Sequence, residues 1–202
     1  NVDFMDRIDL RKWSNAGAGG SWNTDVTGLW LRQNNNTDPS TYYISPNEYD
    51  SVFIEGSIKT DNHDDDIMGL IYGLKSPLAS NSHHKNYVAV LFRNGHGSSS
   101  SPGGGAPTDP KYRVDLIYVD EHRYFTYASG LDWYQNSSTY LLGSYPVGFQ
   151  HGKLYNYQML YLPDRIVFRA DMDFDGVKEK LFDVDFDLDV VANNKLKTSG
   201  QT

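Results

Sequence analysis

Hydrophobic and polar residues alternate with a period of two along much of this chain, most clearly near its end. There Phe182, Val184, Phe186, Leu188 and Val190 are interleaved with Asp183, Asp185, Asp187 and Asp189. That spacing belongs to a β-strand with one buried face and one wet face. Residues 112–119 repeat the pattern, with Val114, Leu116 and Tyr118 on one side and Arg113 and Asp115 on the other. Residues 28–33, 51–58, 154–161 and 166–170 predict further strands, the last two joined across Leu162-Pro163-Asp164-Arg165. Residues 67–74 and 86–93 are more continuously apolar, and the second run predicts a central strand. Many short strands, frequent turn signals and no amphipathic helical spacing point to an all-β fold. The expected architecture is one antiparallel jelly-roll β-sandwich spanning residues 1–202.

Other segments interrupt this pattern. Residues 14–21, with Gly17, Gly19 and Gly20, read as a turn-rich block, and Asn34–Asn36 as a polar turn. The Gly/Ser-rich stretch 94–110 exceeds the ~12–15 residues usual for a loop, and its composition predicts a flexible insertion. Residues 131–148 read as a second long loop crowded with aromatics, Trp133, Tyr134, Tyr140 and Tyr145 among them.

Composition sharpens the class. Fifteen Tyr, nine Phe and four Trp favour pleated, half-buried surfaces. Lys and Arg total 18 against 26 Asp and Glu, a formal charge of −8. That balance argues against nucleic acid as a partner, because neutralising phosphates needs a basic face. No run of ~18–20 apolar residues is present to span a membrane as a helix. The absence of cysteine excludes a disulfide framework, a Cys-ligated zinc site and a Cys nucleophile. The chain starts at Asn1 without an apolar leader, and is expected to be a processed protein or part of a larger multidomain chain.

Two acidic clusters carry candidate metal chemistry. In Asp61-Asn62-His63-Asp64-Asp65-Asp66, a turn before the strand at 67 can aim Asp61, Asp64, Asp65 and Asp66 at one hard cation. Ca²⁺ takes six to eight oxygens at ~2.3–2.6 Å; the alternative is a solvated acidic turn. In Asp171-Met172-Asp173-Phe174-Asp175-Gly176, alternate carboxylates (Asp171, Asp173, Asp175) and a turn-forming Gly match the opening of a Ca²⁺ loop. The Glu such a loop carries six residues after its Gly is replaced by Phe182, and Glu179 falls too early for that register. The alternative is a β-hairpin turning at Asp175-Gly176.

Catalytic signals are missing. No Gly-x-Ser-x-Gly, His-Glu-x-x-His or phosphate-loop motif occurs, and no Glu-x-Asp-x-x-Glu run supplies the carboxylate pair of a glycosidase. His83-His84 lacks further ligands at zinc spacing. Trp133, Tyr134, Asn136 and Tyr140 have the composition of a sugar-binding surface, aromatic faces for stacking beside an amide for hydroxyls, or equally of a core. Asn35-Asn36-Thr37 and Asn136-Ser137-Ser138 match glycosylation acceptors.

The order of several motifs resembles the thrombospondin C-terminal domain. These are Asn36-Thr37-Asp38-Pro39, the strand at 51–58, Asp64-Asp65-Asp66 running into Ile67-Met68-Gly69-Leu70-Ile71-Tyr72-Gly73, and Tyr87-Val88-Ala89-Val90-Leu91-Phe92. A looser likeness covers 153–184. The resemblance implies a concanavalin A-like jelly roll, a secreted or surface location and calcium at Asp64, Asp65 and Asp66. It implies adhesion through a glycan or an extracellular protein as partner. Without the cysteines of the animal domains, the expected setting is a microbial surface or secreted protein. The expected function is therefore a calcium-binding, non-enzymatic recognition module. A carbohydrate-active enzyme of the same fold (glycoside hydrolase or lyase) and a calcium-stabilised spacer are the alternatives.

Overall fold

The computed structural model describes residues 8–17, 20–35, 41–47, 49, 51–61, 67–73, 85–93, 112–121 and 139–185. Among these residues the fold is all-β with antiparallel sheets, and its one helical element is a single 3-10 turn, Leu10–Lys12. Residues up to Asn47 gather into one compact unit and those from Tyr49 onward into another.

The first unit holds β1 (Ser14–Gly17), β2 (Trp22–Thr24), β3 (Leu31–Gln33) and β4 (Thr41–Ile44), with β1 paired to β4 and β2 to β3. Such short strands bury little, and side-chain contacts brace them. Trp22 stacks on Tyr43 at 5.6 Å and its indole N–H donates to Thr41 Oγ1 at 2.9 Å. The β2–β3 turn is held by Asp25, whose Oδ1 accepts from the backbone N–H of Leu29 and Trp30 at 3.0 and 3.1 Å. The turn-rich reading of 14–21 gives way to strand at Ser14–Gly17. Small residues carry no periodic signal, and pairing with β4 supplies what local propensity lacks.

In the second unit, eight strands form two four-stranded sheets. One has the order β12 (Glu179–Asp185), β11 (Arg165–Ala170), β10 (Tyr155–Leu162), β5 (Val52–Ile58). The other has the order β6 (Ile67–Tyr72), β7 (Lys85–Arg93), β8 (Val114–Glu121), β9 (Thr139–Tyr145). Side chains of both sheets share one core, giving a sandwich-like arrangement: Val88, Val90, Phe92, Val114 and Leu116 from one face Tyr157, Met159, Ile166 and Phe168 from the other. Phe92 and Phe168 meet edge to face at 5.9 Å, both fully buried. The strands predicted at 51–58, 67–74, 86–93, 112–119, 154–161 and 166–170 are present with ends moved by one or two residues, and β7 is central as expected.

Two expectations change here. The segment 131–148 was expected to be loop, yet it contains β9, whose Thr139–Tyr145 pairs with β8 and whose Gly143 lies against the Phe182 ring. A Cβ added at Gly143 would come 3.0 Å from Phe182 Cδ1, so the missing side chain lets the two edge strands approach. Also, β8 is not wet on its second face. Asp115 is 1% exposed and Ile117 fully buried. Asp115 tolerates burial because Arg113 Nε donates to it at 2.9 Å, Ser144 Oγ at 2.8 Å and Arg93 Nη1 at 3.4 Å.

Phe168→Ala should lower the unfolding free energy by about 3–5 kcal/mol, measured by urea titration, because it empties the inter-sheet contact. Asp115→Ala should cost about as much, roughly 3–5 kcal/mol, by removing the carboxylate shared by buried Arg93 and half-buried Arg113. A loss under 1 kcal/mol for Asp115→Ala, on the scale of about 0–1 kcal/mol typical of exposed pairs, would mean that those charges are solvated.

Candidate metal centre

Strand β11 ends at Ala170 and β12 begins at Glu179, so the acidic motif forms the whole connection between two paired strands. It is not a two-residue turn at Asp175-Gly176. The register shifts between Phe168 and Arg169, just before the connection, and the loop then turns inward. Two residues take positive φ: Phe174 at 67° and Gly176 at 89°. Glycine enters that region freely, whereas a bulky side chain there is strained and needs support from its surroundings. Phe174 is supported on both sides, by the Tyr155 ring at 5.0 Å and by the Lys153 ammonium 5.3 Å from its centroid.

Backbone donors organise the loop. Gly176 N–H donates to Asp171 Oδ2 at 3.2 Å, Asp175 N–H to Asp173 Oδ1 at 3.3 Å, and Val177 N–H to Asp175 Oδ1 at 2.7 Å. Met172 N–H donates to Glu179 Oε2 at 3.0 Å. These contacts fold the side chains of Asp171, Asp173, Asp175 and Glu179 around one point. One oxygen from each lies within 4.8 Å of all the others. Two oxygens on opposite sides of a bound Ca²⁺ are ~4.6–5.2 Å apart, twice the ligand distance, so the spacing is on the scale of that ion's coordination shell.

Charge balance makes the cluster unusual. The nearby cations face elsewhere: Lys178 lies 3.9 Å from Glu55, Lys180 3.1 Å from Asp183, and Lys153 covers Phe174. Asp171 is only 5% exposed, and its Oδ1 is buried without a hydrogen-bond partner. A buried carboxylate oxygen left unpaired is costly, and a cation seated among the four carboxylates would satisfy it. The donor set, all hard oxygen, suits calcium and not a thiophilic metal.

Glu179 is the member of the cluster that motif spacing overlooked. It stands three residues after Gly176, too early for a helix-flanked calcium loop. Here the chain leaves the loop as a strand, and the first residue of β12 points back across the hairpin. No period-two signal marks it, because Glu179-Lys180 and Leu181-Phe182 interrupt the alternation where the register shifts; only the pairing with β11 reveals that the strand starts at Glu179.

Among the other sequence-derived candidates, Asp61 is described, exposed, and paired with Lys59 Nζ at 2.6 Å. Asp64, Asp65 and Asp66 lie outside the described residues, as do Trp133, Tyr134, Asn136, the Asn36–Pro39 motif and the 94–110 insertion. Tyr140 is placed by its backbone in β9, opposite Tyr118. The Asp183 and Asp185 positions of the terminal alternating run do face outward, beside Arg165. No protein-family model matches this sequence, and no curated protein matches it.

Tyr155, beneath Phe174, is buried, and burial pushes its phenol up to about 12 even though Gln150 N–H donates to its oxygen at 2.7 Å. A raised folded-state value means that the neutral phenol stabilises the fold fully below the ordinary tyrosine range. That contribution is lost as pH rises from about 10 towards 12. Ultraviolet difference titration of wild type against Tyr155→Phe should therefore reveal one tyrosine ionising near pH 12, missing from the variant. A Tyr155 transition at the ordinary value near 10 would mean that the ring is solvated.

Proposed function

We propose that this chain is a calcium-binding recognition module, a non-enzymatic jelly-roll of the concanavalin A-like kind. In this reading it serves adhesion outside the cell, taking a glycan or an extracellular protein as its partner. The observation that carries calcium is the buried, unpartnered Asp171 Oδ1 inside a set of four converging carboxylates. The two-sheet sandwich with a shared core is compatible with the jelly roll. The likeness of the region from about Leu31 to Arg93 to the thrombospondin C-terminal domain is what suggests adhesion and an extracellular or cell-surface setting. The acidic turn at Asp61, Asp64, Asp65 and Asp66 is proposed as a second calcium position on the strength of that likeness.

Calcium suits such a role physically. An ion that binds only the folded chain adds stability, and it pre-orders a loop that would otherwise lose conformational freedom when a partner docks. Both effects need no chemistry on the ligand, in keeping with a sequence that carries no catalytic motif.

The test is a thermal melt of metal-stripped protein with and without Ca²⁺. At a free concentration of about 100 times the dissociation constant, binding adds about 2.7 kcal/mol, a rise of several degrees. Asp171→Asn is expected to abolish most of this rise, and Asp65→Ala/Asp66→Ala to remove any second component. A melt unaffected by Ca²⁺ at every concentration would overturn the reading. Glycan-array and matrix-protein binding, each in Ca²⁺ and in chelator, then tests adhesion: signal that needs calcium supports it, and none in either condition leaves a calcium-stabilised spacer.

A further inference from the structure

The four converging carboxylates come from two different strands. Asp171 directly follows β11, Asp173 and Asp175 belong to the connection, and Glu179 is the first residue of β12. Within its sheet β12 is the outermost described strand, held on one side only, by β11. Buried Phe182 packs on Phe168 of neighbouring β11 at 6.4 Å and, across to the second sheet, against Gly143 of β9, with Leu181 and Val184 partly buried beside it. Its outward face carries exposed pairs, Arg165 with Asp183 at 2.7 Å and Lys180 with Asp183 at 3.1 Å. Exposed pairs of this kind add little to stability. The register is already broken between Phe168 and Arg169, so the ladder is weakest at the end nearest the acidic loop.

We propose that a Ca²⁺ held by Asp171, Asp173, Asp175 and Glu179 acts as a latch that fixes the edge strand β12 to β11, so that calcium level sets the order of that strand. The inference rests on the calcium reading above and adds the element that the ion controls. Without the cation, four carboxylates converge with no described ammonium or guanidinium among them, and Glu179 is repelled by the three aspartates. Moving the Glu179 carboxylate outward relieves that repulsion at the expense of one side-chain hydrogen bond, donated by Met172 N–H to Glu179 Oε2. With the cation, the same two residues become ligands of one ion and the start of β12 is drawn in. The strained Phe174, clasped between Tyr155 and Lys153, is fixed by the same event, because it lies between two of the ligands.

The latch is tested by amide hydrogen exchange on the whole chain in Ca²⁺ and in chelator, beside calorimetric measurement of Ca²⁺ binding. If the ion binds only the closed hairpin, the amides of Glu179–Asp185 should exchange up to about a hundredfold more slowly at a free Ca²⁺ of about 100 times the dissociation constant. Those of Val114–Glu121, in the other sheet, should change far less. Glu179→Gln keeps the three aspartates and should still bind Ca²⁺ more weakly, but with the calcium dependence of β12 exchange lost. Asp173→Asn should need more Ca²⁺ and retain the dependence, which guards against a variant that merely misfolds. Calcium binding with equal slowing in both sheets, or with no slowing in β12, overturns the latch and leaves the calcium-binding module standing. Absence of Ca²⁺ binding overturns both.

Discussion

The aromatic contact between two sheets, Phe92 on β7 against Phe168 on β11, is the constraint around which the larger unit is arranged. Neither ring has any exposed surface, and each joins further rings: Tyr155 beside Phe92, Tyr157 and Phe182 beside Phe168. Aromatic pairs in edge or offset geometry contribute about 0.5–1.5 kcal/mol beyond the area they bury. A chain without cysteine has no covalent staple, so this packing must hold the sheets together.

The same contact determines where the acidic loop sits. With Phe168 directed inward, alternation also places Ile166 and Ala170 in the core, and the bulge after Phe168 shifts the register just before the strand ends. Asp171 follows at once and is carried below the surface. Its burial is a consequence of that neighbouring core, and the burial is what separates this carboxylate from the many exposed ones on the molecule. An acidic loop at a freely solvated hairpin would leave its oxygens to water.

Two kinds of buried charge can be compared directly. Asp115 is deeper than Asp171, yet it raises no question of a missing partner, because two guanidinium groups and a hydroxyl surround it. Asp171 receives one backbone N–H on Oδ2 and nothing on Oδ1. Partnership, more than depth, distinguishes a structural ion pair from a candidate cation site. The neighbouring lysines strengthen the distinction, since Lys178 and Lys180 reach Glu55 and Asp183 and not the loop.

Period-two alternation marked β8 and β12, and continuous apolar runs marked β6 and β7, because a strand buried on one face records it in every second residue and a strand buried on both faces records it in nearly all. The Asp-x-Asp-x-Asp-Gly spacing likewise marked three carboxylates as candidate ligands. Short strands such as Ser14–Gly17 escaped, since they are made by pairing and not by pattern, and β9 was hidden among aromatics that read equally as loop. Tertiary structure alone decided that Asp115 is buried with both oxygens bonded, that Asp171 is buried with Oδ1 left without a partner, and that Glu179 closes the cluster. These facts depend on which strands lie side by side and on the bulge that turns one chain segment towards another. Alternation along a single strand records which way a side chain points, but carries no information about what meets it there.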